Sequence, residues 1–139
     1  MLLTVDRIED QTDQIRSIWL TGDELPGFTA GAHLKFDCGD VGTRAYSLVS
    51  WEGREPSPAT YQIAVQREDD GTGGSKFMHG LKVGNQIEAT EPKNDFPLAN
   101  GKALLIAGGI GITPMISMAT WAKSSSREYE FHYASRSAD

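Results

Sequence analysis

The chain has 139 residues, 39% hydrophobic and 23% charged, which allows one complete domain with a core and part of a second. That composition excludes a disordered chain, and a formal net charge of −6 repels phosphate backbones, so nucleic acid is not an expected partner. The single cysteine, Cys38, excludes an internal disulfide and a cysteine-based metal site and fits a reducing cytoplasm.

No apolar stretch approaches the ~20 residues of a membrane span. Charge arrives at Asp6, too early for a signal peptide. Residues Leu2–Ile8 and Ile15–Leu20 are rich in β-branched and large apolar types and predict strands. Pro26-Gly27 marks a turn. His33–Cys38 alternates, with Leu34, Phe36 and Cys38 on one side, and Gly39-Asp40 turns the chain back. Arg44–Val49 and Tyr61–Gln66 are further strands, separated by the polar loop Trp51–Ala59. A glycine-rich loop, Asp69–Gly74, leads to Ser75 as an N-cap and a short helix over Lys76–Leu81. Gln86–Thr90 is a last strand. Short strands with turn signals between them predict a sandwich or a barrel.

The pattern changes near Asn100. Ala103–Ala107 is a continuous apolar run, as in a strand buried on both faces. The glycine turn Gly108–Ile112 follows, then Thr113 as N-cap, Pro114 as first helical residue, and a helix over Met115–Lys123. Glu130–Ser135 is a second strand, completing one βαβ unit. The predicted domains are residues 1–100 and 101–139. Two parallel strands and one helix cannot cover their own apolar faces, so the second unit is expected to be truncated or completed by something else.

Three constellations carry chemistry. In Arg44-Ala45-Tyr46-Ser47, a strand would put Arg44 and Tyr46 on one face and Ser47 on the other unless it bends. Arginine offers a planar fork of donors for phosphate, tyrosine an aromatic plane, and serine a hydroxyl that can donate to a ring nitrogen. The same residues also describe an edge strand with a solvated arginine. Gly71-Thr72-Gly73-Gly74-Ser75 lets backbone N–H groups approach an anion at a helix start, and equally describes a flexible loop with a serine cap. Ala107–Pro114 is like a dinucleotide turn without the full G-x-G-x-x-G pattern; it also describes a tight βα turn needing glycine for packing.

Other residues are assigned to structure. His33, His79 and His132 lack metal-site spacing, with His79 expected on a solvated helix face and His132 packed or hydrogen-bonded. Cys38 is expected as a small buried hydrophobe, Trp19, Met115, Met118 and Trp121 as packing residues, and Glu68-Asp69-Asp70 as a solvated loop.

Taken together, in this order and spacing, the motifs resemble the ferredoxin–NADP reductase superfamily, and within it the phthalate dioxygenase reductase and vanillate demethylase reductase group. Arg44-Ala45-Tyr46-Ser47 matches its R-x-Y-S motif, Gly73-Gly74-Ser75 its G-G-S turn, Asn94–Leu98 its N-x-F-P-L segment, and Ala107–Pro114 its A-G-G-I-G-I-T-P turn. The resemblance implies an all-β antiparallel Greek-key barrel that binds flavin, followed by the start of an α/β nucleotide-binding domain. It implies that Arg44, with Gly73, Gly74 and Ser75, holds the flavin phosphate. Tyr46 would pack on the ring, Ser47 would lie near its reactive nitrogen, and main-chain groups of Ile63, Ala64 and Val65 would line its edge. Thr113 would close the flavin site, and Gly108, Gly109 and Gly111 would leave room for the nicotinamide. Tyr46 and Ser47 would thus be the residues at the reacting ring.

The activity so implied is hydride transfer from NAD(P)H to flavin, FMN in preference to FAD, then single-electron transfer to an oxygenase component or another acceptor. One cysteine cannot supply the C-x₄-C-x₂-C spacing of the group's iron–sulfur domain. Two alternatives stand beside this reading: a flavin-binding module without turnover, and a remnant that buries its incomplete α/β part in a homodimer.

Overall fold

The structure is a computed structural model that describes residues 1–29, 31–49, 60–71, 73–95, 103–108 and 129–134. Its strands are β1 (Leu2–Asp10), β2 (Ile15–Thr21), β3 (His33–Asp37), β4 (Thr43–Ser47), β5 (Thr60–Gln66), β6 (Gln86–Glu88), β7 (Ala103–Gly108) and β8 (Tyr129–Ala134). A 3₁₀ turn, Gly39–Val41, joins β3 to β4, and a helix, α1 (Gly74–His79), follows β5. The ladders form a four-stranded antiparallel sheet in the order β5-β2-β1-β6, a β3-β4 hairpin, and a parallel β7-β8 pair.

Strict alternation explains the best-defined strands. Leu34 and Phe36 of β3 and Ile63 and Val65 of β5 are fully buried, while Lys35 and Asp37 between and beside them are exposed. These side chains join Leu3 and Val5 of β1, Ile18 and Leu20 of β2, and Met78 of α1 in one core, so the hairpin and the four-stranded sheet share their apolar faces. Cys38 is buried with them, as its position at a strand end predicts. Trp19 is half-buried and lies under the Arg7 guanidinium, 4.4 Å from its ring centroid.

The expected barrel is not closed by continuous ladders. Between β6 and β3 there are only two isolated bridges, Phe36 to Ala89 and His33 to Lys93. Pro92 lies in that seam and has no N–H to donate, which limits pairing there. On the far side, the Val49 N–H reaches the Gln62 carbonyl at 3.0 Å, tying the end of β4 to β5. An open sheet and a hairpin, stitched at two seams, therefore replace the closed barrel among the described residues.

β7 and β8 pair in parallel, from Ala103 with Tyr129 to Gly108 with Ala134. The helix expected over residues 115–123 and the boundary near Asn100 lie outside the described residues. Among the described residues, no helix is long and apolar enough to cross a membrane.

Candidate functional site

Arg44 and Tyr46 lie opposite Phe36 and Leu34 across the hairpin, so all four share its core-facing side. Both remain half-buried. The Tyr46 ring tilts against Phe36 with centroids 6.0 Å apart, and burial pushes its phenol pKa up. Burial likewise raises the Cys38 thiol, opposed by the positive charge of Arg44. Ser47 pairs with His33 and falls on the opposite face, beside Ala45. Leu48 and Val49 are both buried, so the alternation of β4 breaks directly after Ser47.

The glycine turn meets this strand. Gly73 is left-handed, with φ +100°, and its carbonyl accepts the Phe77 N–H at 2.9 Å to open α1. A Cβ at Gly74 would stand 2.4 Å from Cγ and 2.9 Å from Cδ and Nε of Arg44. The arginine stem therefore runs directly over the helix start, and only glycine leaves it room. A Cβ built on Gly73 would meet Val41 at 3.4 Å, so the 3₁₀ turn before β4 is the surface on which the loop rests.

Ser75 differs from its expected role. The N-cap is Gly73, and Ser75 lies inside α1. Its hydroxyl oxygen accepts the Glu68 N–H at 2.8 Å, which folds the preceding loop onto the helix. The hydroxyl proton remains available to an acceptor. His79 also departs from expectation: rather than facing solvent, its Nε2 donates to the Val65 carbonyl at 2.7 Å. A carbonyl can only accept, so Nε2 carries the proton.

Ile63 and Val65 turn their side chains into the core, and Ala64 is half-buried between them. Gln62 uses its carbonyl across the edge of β5 that faces away from β2. By the period of two, the N–H and C=O of Ala64 face that same edge. Gly108 ends β7; Gly109, Gly111 and Thr113 lie outside the described residues, as does most of the Asn94–Leu98 segment. Asn94 itself donates to the Thr29 hydroxyl at 2.7 Å.

The structure thus brings Arg44 against the Gly73–Ser75 turn, keeps Tyr46 on the same face of β4 as Arg44, and places the Ala64 peptide on the edge of β5 away from β2. Sequence reasoning missed Val41, Glu68, Arg16 and the real contact of His79. Only Val41 left a signal, as the apolar residue of an otherwise polar turn.

No protein-family model matches the chain. It is 39% identical over 141 residues to the carnitine monooxygenase reductase subunit of Acinetobacter baumannii, covering 97% of this chain and 43% of that protein. Among solved structures it matches phthalate dioxygenase reductase, described as a modular structure for electron transfer from pyridine nucleotides to [2Fe-2S], with a TM-score of 0.89 and 36% identity over 99% of this chain and 44% of that one. A ferredoxin–NADP+ reductase from Plasmodium falciparum shares the fold alone, with a TM-score of 0.74 and 18% identity over 99% of this chain and 60% of that one. The chain spans less than half the length of the curated relatives it matches.

The fold is ferredoxin–NADP reductase-like. The curated relatives it matches include phthalate dioxygenase reductase and vanillate O-demethylase oxidoreductase.

Proposed function

We propose that this chain is the flavin-holding part of a reductase that takes hydride from NAD(P)H and passes electrons onward to an oxygenase component or a similar acceptor. The observation that supports the reading is the course of the Arg44 stem over Gly74, which brings two motifs distant in sequence into contact. The residues fit a terminal phosphate. Arg44 supplies a guanidinium, Ser75 a hydroxyl proton, and the first turn of α1 N–H groups without intrahelical acceptors.

This donor set favours FMN over FAD, because a phosphate monoester presents more charge and more acceptor oxygens than an internal diester. Tyr46 offers a ring face beside the phosphate cluster, and Ser47 a hydroxyl where β4 ends. The peptide edge at Ala64, flanked by Ile63 and Val65, offers a donor and an acceptor to a ring edge. Bound flavin supplies the conversion of a two-electron donor to single-electron transfer, which no side chain here performs. The chain orients the ring, shields one face and balances the phosphate charge. Gly108, with Gly109 and Gly111, would admit the nicotinamide, and Thr113 would close the flavin site. The carnitine monooxygenase reductase subunit acts, by its name, with an oxygenase, and the same class of partner is proposed here. A cytoplasmic location is part of the reading, in keeping with a cysteine held unpaired in the core.

The test is reconstitution with FMN, removal of the excess, and a visible spectrum, with Arg44→Ala alongside. The wild type should retain flavin, and the variant should bind about tenfold to a hundredfold more weakly, as expected for lost charge-assisted hydrogen bonds. A wild-type chain that retains no flavin would sink the proposal. Retained flavin that NADH fails to bleach would favour a binding module without turnover.

A further inference from the structure

The helix that carries the phosphate turn has only 6 residues. A helix this short has no stability of its own, so tertiary contacts must fix its direction. Its first turn is placed by Arg44, Val41 and the Glu68–Ser75 bond, and its last turn by Met78, which is fully buried. Its last residue is held from two strands at once. His79 Nε2 donates to the Val65 carbonyl of β5 at 2.7 Å, and Arg16 Nη1 of β2 donates to the His79 carbonyl at 2.7 Å. Arg16 is aimed by Asp10 of β1, which accepts from Nε at 2.7 Å and from Nη2 at 3.3 Å. A cation on the carbonyl end of a helix is also favourable to the helix dipole.

Val65 follows Ala64, whose peptide edge is the proposed ring contact, while Gly73–Ser75 is the proposed phosphate contact. His79 is therefore the one side chain among the described contacts that bonds the phosphate-bearing helix to the ring-bearing strand. We infer that His79 is a positioning residue for the flavin, setting the distance between its phosphate and ring subsites, with Arg16 as the second tie. This inference rests on the flavin reading above. It adds that the span between the two subsites is held by a hydrogen bond at the far end of α1 from the phosphate turn.

The test compares wild type, His79→Ala, His79→Gln and Arg16→Gln in the full chain, with FMN as the probe. Three readouts are FMN affinity by fluorescence titration, the visible circular dichroism of the bound ring, and amide exchange at Glu68 in the flavin-free protein. His79→Ala should weaken FMN about threefold to tenfold, alter the ring dichroism and speed exchange at Glu68. Glutamine keeps a side-chain N–H donor and should restore at least half of each effect. Arg16→Gln should shift the same readouts in the same direction by less, so the inference survives a His79→Ala variant that fails to fold. If wild type binds FMN and the three variants match it in affinity and dichroism, the positioning role is overturned while the flavin site stands. If wild type binds no FMN, both fall.

Discussion

β4 and β5 border the same candidate site and contribute to it in opposite ways. β5 alternates without a fault and sends Tyr61, Ile63 and Val65 into the core, so what it can offer a ligand is its peptide edge. β4 also faces the core with alternate residues, but those residues are Arg44 and Tyr46, and neither is fully covered. The Arg44 stem runs over the start of α1, beside the 3₁₀ turn. One strand can therefore offer a ligand its side chains and the other its main chain. Side-chain contributions can be removed one at a time, whereas a main-chain contribution yields only to a change in the backbone.

The sharpest way to break the side-chain half leaves the arginine in place. Gly74→Ala puts a Cβ where the Arg44 stem now runs, and the stem must move. The backbone at Gly74 is not left-handed, and alanine favours a helix over glycine by about 1 kcal/mol. FMN affinity should fall at least about tenfold, approaching the loss in Arg44→Ala, with little change in thermal midpoint. Titration and melting measured together check this. Parallel loss of affinity and stability would mean that the helix itself, rather than the path of the arginine, depends on Gly74.

The two halves also differ in how far they could be read in advance. The alternation of residues 33–38 and 61–66 located two strands and the core side of each, because burial on one face leaves a period of two in the composition. The pairing of Arg44 with the glycine turn came from family resemblance, since nothing local in either motif names the other. The start of α1 was misplaced because serine is the better N-cap by local preference, yet here the Ser75 hydroxyl is engaged by the loop at Glu68 and left-handed Gly73 opens the helix. That shift also hid His79. A helix of less than two turns carries no usable phase, so the histidine read as solvated although it faces β5. The peptide edge at Ala64 was nameable only by resemblance, because a main-chain donor leaves no trace in residue type.

The main-chain half is broken by proline. Ala64→Pro removes the N–H on the edge away from β2, where proline costs the ladder least. Ala64→Ser keeps the peptide and alters only a half-buried side chain. The proline variant should bind FMN severalfold more weakly, by about the net value of one hydrogen bond, with its far-UV dichroism intact. The serine variant should bind like the wild type. Equal binding by both would remove the β5 edge from the site and leave the Arg44 cluster as the whole of it.

The smallest effect concerns the tie between the halves. Asp10 is exposed, yet its hydrogen bonds with the Arg16 guanidinium hold its carboxyl below the usual carboxylate range. A carboxylate with a lowered folded-state pKa stabilises the fold above its unfolded-state value, and loses that contribution as pH falls through the folded-state value. As pH falls through that lowered value, protonation should therefore release Arg16 from its aim at the His79 carbonyl. Exposure and salt screen the pair, so the change in overall stability should be slight. The local consequence is more specific: amide exchange at Gly80, which caps α1, should quicken as pH falls below the usual carboxylate range, beyond the intrinsic trend. Asp10→Asn should show the quickened rate already at pH 5 and no further step. A wild-type profile identical to that of Asp10→Asn would mean that Arg16 keeps its place on the His79 carbonyl without the carboxylate.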